Sequence, residues 1–553
     1  MRFRWWALTL AAALALADGS IVTLALPQVL RELDTTVGGV AAVIGVYTFV
    51  IAAAVLPLER AARTWSLRAV GAGGFALMAI ASLACAAAGD LTALLVARGA
   101  QALGGAAGLV AAFALIGGGA ARRRRTWIAA AVIGTAVGPA LGGALTQAFS
   151  WHAIFVFQAP LAAAAAVAAW SGPAHVAERA PTPAHPKRFA LRPALGLALV
   201  SAALSAVLFL LVLLLVAGWS ISPLGAAAAV SVIPLGALAG TRVGGDPHVR
   251  AAAGSALIGG GVLALAWLPT ASVAWTLAPQ ALAGFGMGLA LPALAGGLLP
   301  EHTTLDVART LALRHAGIAA ALALLAPIVA HQLTVSTESA REQGVALLLD
   351  APLPPQDKIR LAPELLAGVD TQDPRKGLDR AVDTERGRFQ GADRAAYDRV
   401  GTRLDETLTS AVGDAFKPAF LITGGLALLA ALILTPWRQA RRAVPALAGA
   451  AVLALVSPAA YAAADAAFGP EPVAILDPCT AKRQPPAAGG ITGFLQDRAL
   501  DLLDKAACRL GSSREELVLA LSSKRDAKRF QAEHGVDPRS VLGLVGGLFK
   551  GAP

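Results

Sequence analysis

What most constrains this chain is a series of apolar runs of about 20 residues, each near the length one helical crossing of a lipid bilayer requires. The first ends at Pro27, and others stand near 38–58, 67–88, 91–117, 126–148 and 153–170. After a polar stretch they resume near 194–217, 222–241, 251–269, 272–299 and 307–334, and two more lie at 416–436 and 443–464. Backbone polar groups in lipid must pair within the segment, so runs of this length imply helices. A chain that is 56% hydrophobic over 553 residues also carries too much apolar surface for a soluble core. The expectation is an all-α polytopic membrane protein. Arg2 and Arg4 ahead of the first run imitate a signal peptide, but the run is long and contains Asp18, so it reads as a retained span.

The net charge of +11 would point to nucleic acid in a soluble protein, yet here it follows the spans. Arg60, Arg63 and Arg68 come after the second run, Arg122 to Arg125 after the fourth, and Lys187 with Arg188 after the sixth. Arg242 and Arg250 follow the eighth, and Arg309 and Arg314 follow the tenth. Every cluster falls on one side, which the positive-inside rule makes cytoplasmic, together with the N-terminus. The partner implied is a cell-membrane bilayer, with no nucleic acid.

This alternation divides the chain. Residues 1–170 form a first six-helix bundle, 171–193 a Pro-rich cytoplasmic linker, and 194–334 with 416–436 a second bundle. Residues 335–415, rich in both signs of charge, are expected as an extracytoplasmic helical cap. The run 443–464 is an additional span, and 465–553 is a soluble tail with helical patterns near 491–510 and 513–530, the second opening on the capping box Ser513-x-x-Glu516. Arg438, Arg441 and Arg442 place the end of the twelfth span inside, so a further crossing puts the tail outside. Cleavage behind Ala460-Tyr461-Ala462 would free it there, and an Ala-rich hairpin would return it inside. Outside, Cys479 and Cys508 can be oxidised to one disulfide, whereas the three cysteines have no metal-ligand spacing.

Gly134, Gly138 and Gly142 recur every fourth residue and therefore line one helix face, baring backbone for another helix. Pro139 cannot donate to the Thr135 carbonyl, so a bend is expected there. The order Gly134-x-x-x-Gly138-Pro139-x-x-Gly142-Gly143, followed by Trp151 and Ile154 to Pro160, resembles the fifth helix of drug:proton antiporters of the major facilitator superfamily. In that branch this helix is the hallmark of exporters. The stretch Asp18-Gly19-Ser20-Ile21-Val22-Thr23-Leu24-Ala25-Leu26-Pro27 is similar to the family's first-helix signature, with Thr23 where Asn is usual. Arg98-Gly99-Ala100-Gln101 matches its fourth-helix signature, with Ala102 replacing the Gly after Gln. The loop Glu59-Arg60-Ala61-Ala62-Arg63-Thr64-Trp65-Ser66-Leu67-Arg68 departs further, lacking the family's central Asp and its Gly. Either Glu59, with Arg60 and Arg68, substitutes in the cytoplasmic gate, or the gate is altered. The resemblance covers about 1–334 and 416–436 and implies a fold of two six-helix bundles.

Ionisable groups inside spans are costly and mark function. Asp18 lies nine residues before Pro27 and Arg98 eight after Asp90. At 1.5 Å per residue both sit roughly 12–14 Å below the outer boundary, so they are level. The resemblance implies that both face a central cavity, with Gln101, Gln158 and Thr23 as its polar lining. Asp18 is the expected proton carrier and Arg98 its modulator, since a nearby cation lowers a carboxyl pKa and low dielectric raises it. His331, Arg314 and His315 are runners-up for the carrier and otherwise read as interfacial anchors. No nucleotide motif, metal cluster or nucleophile constellation is present, which implies a transporter without cofactor or metal rather than an enzyme. The expected partners are protons and a small amphipathic substrate, handled by a monomer. A lipid or glycolipid exporter is a variant of this reading; the competing class is a non-transporting scaffold or sensor that displays its cap and tail.

Overall fold

The computed structural model describes residues 2–116, 120–173, 190–298, 303–353, 355–366, 374–436, 440–481 and 491–540. Most of the expected linker, Arg438 and most of the stretch between Cys479 and the first tail helix lie outside them. The described elements are all helical, and eleven helices are long and apolar enough to cross a membrane. Two more, Ala120–Ala148 and Pro247–Ala264, stand at the expected fifth and ninth spans but outside those eleven. The first opens on Arg122 to Arg125 and the second is a short helix of Gly and Ala, so neither draws its place from hydropathy.

Short polar residues start the spans. Thr36 accepts from Gly39 N at 3.1 Å, and Asp90 from Ala93 N at 2.8 Å, each pairing a backbone donor the helix leaves open. Two spans end in π-helical turns, Leu213–Gly218 and Ala293–Leu298.

The chain divides into two compact units. The first, Met1–Ala217, Ile221–His331 and Phe416–Ala467, holds the spans. Its helices approach through glycine, because lipid supplies no hydrophobic drive and backbone contact must replace it. A Cβ on Gly104 of helix Leu91–Leu115 would lie 2.5 Å from Met78 N of helix Leu67–Ala86. In the second half, a Cβ on Gly261 would lie 2.5 Å from Pro279 O of helix Val273–Pro292. Spans three and four thus meet as spans nine and ten do, the correspondence that internal repeats produce. The additional helix, Ala440–Phe468, packs on this unit through Ala450 beside Leu257 and Leu289, and Tyr461 donates to Trp275 O at 2.7 Å. Its Val452, Leu453, Leu455 and Val456 remain exposed, a face suited to lipid.

The second unit comprises Gly218–Ser220, Gln332–Ala415 and Phe468–Pro553. The eleventh span was expected to exit near Val335, but its helix, Thr304–Asp350, continues into this unit. Cap and tail, separate segments in the sequence, interlock here: Arg341 donates to both Asp526 oxygens at 3.1 and 2.8 Å, and Arg514 to Asp350 at 3.0 Å. Arg529 lies 3.2 Å from Glu338. Burial pushes the Asp526 carboxyl up, yet Arg341, Ser523 and Arg529 hold it below the usual carboxylate range. The stabilisation is therefore present above the ordinary carboxyl pKa and is lost as pH falls through the lowered value. The helix expected over 513–530 is two helices, Arg514–Ser522 and Lys524–His534, because Ser523 leaves the helix and caps the second by accepting from Asp526 N at 3.2 Å. Ser513 caps the first, accepting from Glu516 N at 3.0 Å. Cys479 and Cys508 are joined as a disulfide. No metal spacing was read in the tail, yet ligand atoms of Glu516, Glu533 and His534 come within 4.8 Å of one another, and His534 Nε2 lies 2.9 Å from Glu516 Oε1.

Candidate functional site: a buried ion pair beside a central cavity

Asp18 and Arg98 come together in the first bundle, both fully buried. Arg98 donates to Asp18 Oδ1 from Nη1 at 3.0 Å and to Oδ2 from Nη2 at 2.6 Å. Two further donors are engaged, Nε with Val43 O at 3.1 Å and Nη1 with Gln101 Oε1 at 2.6 Å, so four of its five N–H groups have these partners. Gln158 Nε2 donates to Asp18 Oδ1 at 3.0 Å, and Gln101 Nε2 to Gln158 Oε1 at 2.6 Å and Ser82 Oγ at 2.9 Å. A guanidinium in hydrocarbon needs such partners, since a donor left open costs its desolvation. The Tyr47 ring lies 4.3 Å from Arg98 Cζ, and its hydroxyl donates to Ala15 O at 3.1 Å. Tyr47, Ser82 and Val43 escaped the sequence reading; Tyr47 and Ser82 were detectable only as lone polar groups inside apolar runs.

A cavity lies within the same unit. Thr23 lines it with Ser20 and Thr48, and Tyr47 contributes one wall. Asp18, Arg98, Gln101 and Gln158 are not among the residues that line it. Mutual hydrogen bonding turns them inward, and Tyr47 borders both the cavity and the ion pair. From the second half come Ser201, Ser205, Arg314 and His315. The last two were read as interfacial anchors, but their place in helix Thr304–Asp350 sets them on the cavity wall.

The glycine face of helix Ala120–Ala148 packs on the first span. A Cβ on Gly134 would meet Ala13 O, one on Gly138 the Ser20 hydroxyl, and one on Gly142 Ile21 O. Gly143 turns to the other half, where its Cβ would lie 2.9 Å from Pro223 O. Pro139, inside that helix, lines the cavity.

At the candidate gate, Glu59 is buried and pairs with Arg63, while Thr304 Oγ1 donates to it at 2.8 Å. Of the expected gate residues, Arg60 is exposed and Arg68 stands over the Trp170 ring at 4.9 Å. Arg63 and Thr304 hold Glu59 instead, and Thr304 links the two bundles across 245 positions of sequence.

Residues 8–323 match the family profile described as Major Facilitator Superfamily. The chain belongs to the major facilitator superfamily. A facilitator is a transporter and not an enzyme. This facilitator is similar to the multidrug resistance protein Stp of Mycobacterium tuberculosis, 34% identical over 157 residues that cover 26% of this chain and 28% of that protein. It also resembles the puromycin resistance protein pur8 of Streptomyces alboniger, 33% identical over 168 residues, 29% of this chain and 33% of pur8. The matched stretches thus span about a third or less of these relatives. Among solved structures, a bacterial homologue of the human lysosomal transporter Spinster, inward-facing and occupied, superposes with a TM-score of 0.53 at 16% identity, covering 79% of this chain and 96% of that one. That likeness establishes the facilitator fold.

Proposed function

We propose that this facilitator exports an amphipathic organic compound by proton antiport. The observation that carries the reading is the Asp18–Arg98 pair: an ion pair without solvent contact inside the spans, one aromatic ring away from a cavity. Alternating access needs a group that takes a proton in one state and releases it in the other. In this reading the Asp18–Arg98 contact is broken and remade as the transporter changes state, and Asp18 carries the proton. The glycine-rich fifth helix and the partial likeness to Stp and pur8 support assignment to the drug-efflux branch. The test is uptake of puromycin and of amphipathic dyes into inverted proteoliposomes under an imposed pH gradient. Accumulation that a protonophore collapses supports antiport; equal, gradient-independent levels in empty liposomes would remove it and leave the scaffold reading.

We further place the cap and tail together outside the cytoplasm. Their interlocked ion pairs support a single compartment, a reading in which helix Ala440–Phe468 crosses, and the disulfide suits an oxidising side. With Cys85 replaced, a membrane-impermeant thiol reagent is expected to label Cys479 and Cys508 on intact cells after gentle reduction. Labelling only after lysis would reverse the assignment.

A further inference from the structure

The second unit gathers a set of donor atoms that transport does not use. Helices Arg514–Ser522 and Lys524–His534 bring a carboxylate oxygen of Glu516, one of Glu533 and a ring nitrogen of His534 all within 4.8 Å of one another. His534 Nε2 stands 2.9 Å from Glu516 Oε1, and these two side chains are only 17% and 14% exposed. The Phe530 ring lies 4.4 Å from the imidazole and backs it from one side. Around a tetrahedral ion with bonds of about 2.0–2.1 Å the donors stand roughly 3.4 Å apart, so small side-chain rotations gather all three.

Two further observations favour a cation at this place. Helix Lys524–His534 ends here, with Gly535 turning at φ 73° beyond it, and the carbonyl end of a helix carries a partial negative charge. Glu338 and Glu342 of helix Thr304–Asp350 add carboxylates, and Arg529 is shared between those two at 3.2 and 3.7 Å. Burial, together with the charges of Glu516, Glu533 and Glu338, pushes the Glu342 carboxyl up despite Arg529, so the local field remains negative.

We propose that Glu516, Glu533 and His534 bind a divalent ion of the zinc class, which ties the last two described tail helices together. Carboxylates alone would suit magnesium or calcium, which take oxygen donors; the imidazole nitrogen selects a borderline ion that accepts nitrogen and oxygen together. Three protein ligands leave one tetrahedral position for water. With Nε2 as the ligand, its hydrogen bond to Glu516 is given up, and any proton it carried leaves to solvent or sits on Nδ1.

The experiment is calorimetric titration of the full chain, free of any affinity tag and held in phosphatidylcholine nanodiscs, with zinc chloride and, for comparison, magnesium and calcium chloride. Zinc is expected to bind at about micromolar concentration or tighter, ~100-fold or more tightly than either comparison ion. His534→Gln should weaken zinc about tenfold or more, and Glu533→Gln, at an exposed position where folding is not at stake, several-fold. Cobalt used in place of zinc should give a visible absorption band that His534→Gln shifts or removes, which a hydrogen bond between His534 and Glu516 could not produce. Zinc binding no greater than to empty discs would overturn the proposal. Magnesium binding as tightly as zinc would do so too, as would a zinc titration unchanged in both His534→Gln and Glu533→Gln. Transport does not enter the measurement, so its outcome is independent of the antiport reading.

Discussion

Asp18→Asn is expected to abolish pH-driven accumulation, by ~100-fold or more, within the usual scale for losing an essential proton-transfer group. The substitution keeps the size of the side chain and much of its hydrogen bonding to Gln158, but removes the titrating oxygen and leaves Arg98 buried without a counter-charge. Breaking a buried pair from one side costs about 3–5 kcal/mol, so lowered thermal stability should accompany the loss and must be separated from it. The double variant Asp18→Asn/Arg98→Gln does so: it deletes both charges, should regain much of the stability, and should remain unable to couple. Undiminished gradient-driven uptake by either variant would dismiss Asp18 as the proton carrier.

Adjacent glycines on the fifth helix should fail in different ways. Leucine at Gly142 would drive into Ile21 O on the first span, inside one bundle; overpacking of this kind costs about 1–3 kcal/mol and should lower the melting temperature. At Gly143 the new side chain meets Pro223 O and Ala227 on the other half, where the bundles slide during alternating access. Gly143→Leu is therefore expected to fold and insert with near-normal yield while export falls roughly tenfold or more, a conformational step having become rate-limiting. Transport at the original rate in Gly143→Leu would show that this contact is not remade in the cycle.

The ion pair was legible because helical rise converts sequence distance to depth, and counting inward from Pro27 and Asp90 puts Asp18 and Arg98 level. Counting depth says nothing of rotation about the helix axis, so it could not show that Gln158 turns to Asp18 and Gln101 to Arg98. Arg314 sits near the end of an apolar run, where sequence position marks an interface, and only the fold shows that run bordering a cavity. The Glu59–Thr304 contact has no local pattern, since its partners come from different halves. Cap and tail leave equally little trace, because Arg341 and Asp526 are ordinary surface charges until they meet.

The interlocking of cap and tail also sets an order of events during synthesis. The cap is complete in the chain by Ala415, but helix Lys524–His534, which supplies Asp526 and Arg529, ends more than a hundred residues later. At about 5–20 residues per second, the cap waits roughly 6–24 s for its partners. During that interval Arg341 and Glu338 await their tail partners, Asp526 and Arg529. On the topology proposed above, closure of this module would follow the last crossing and so report that it has been made.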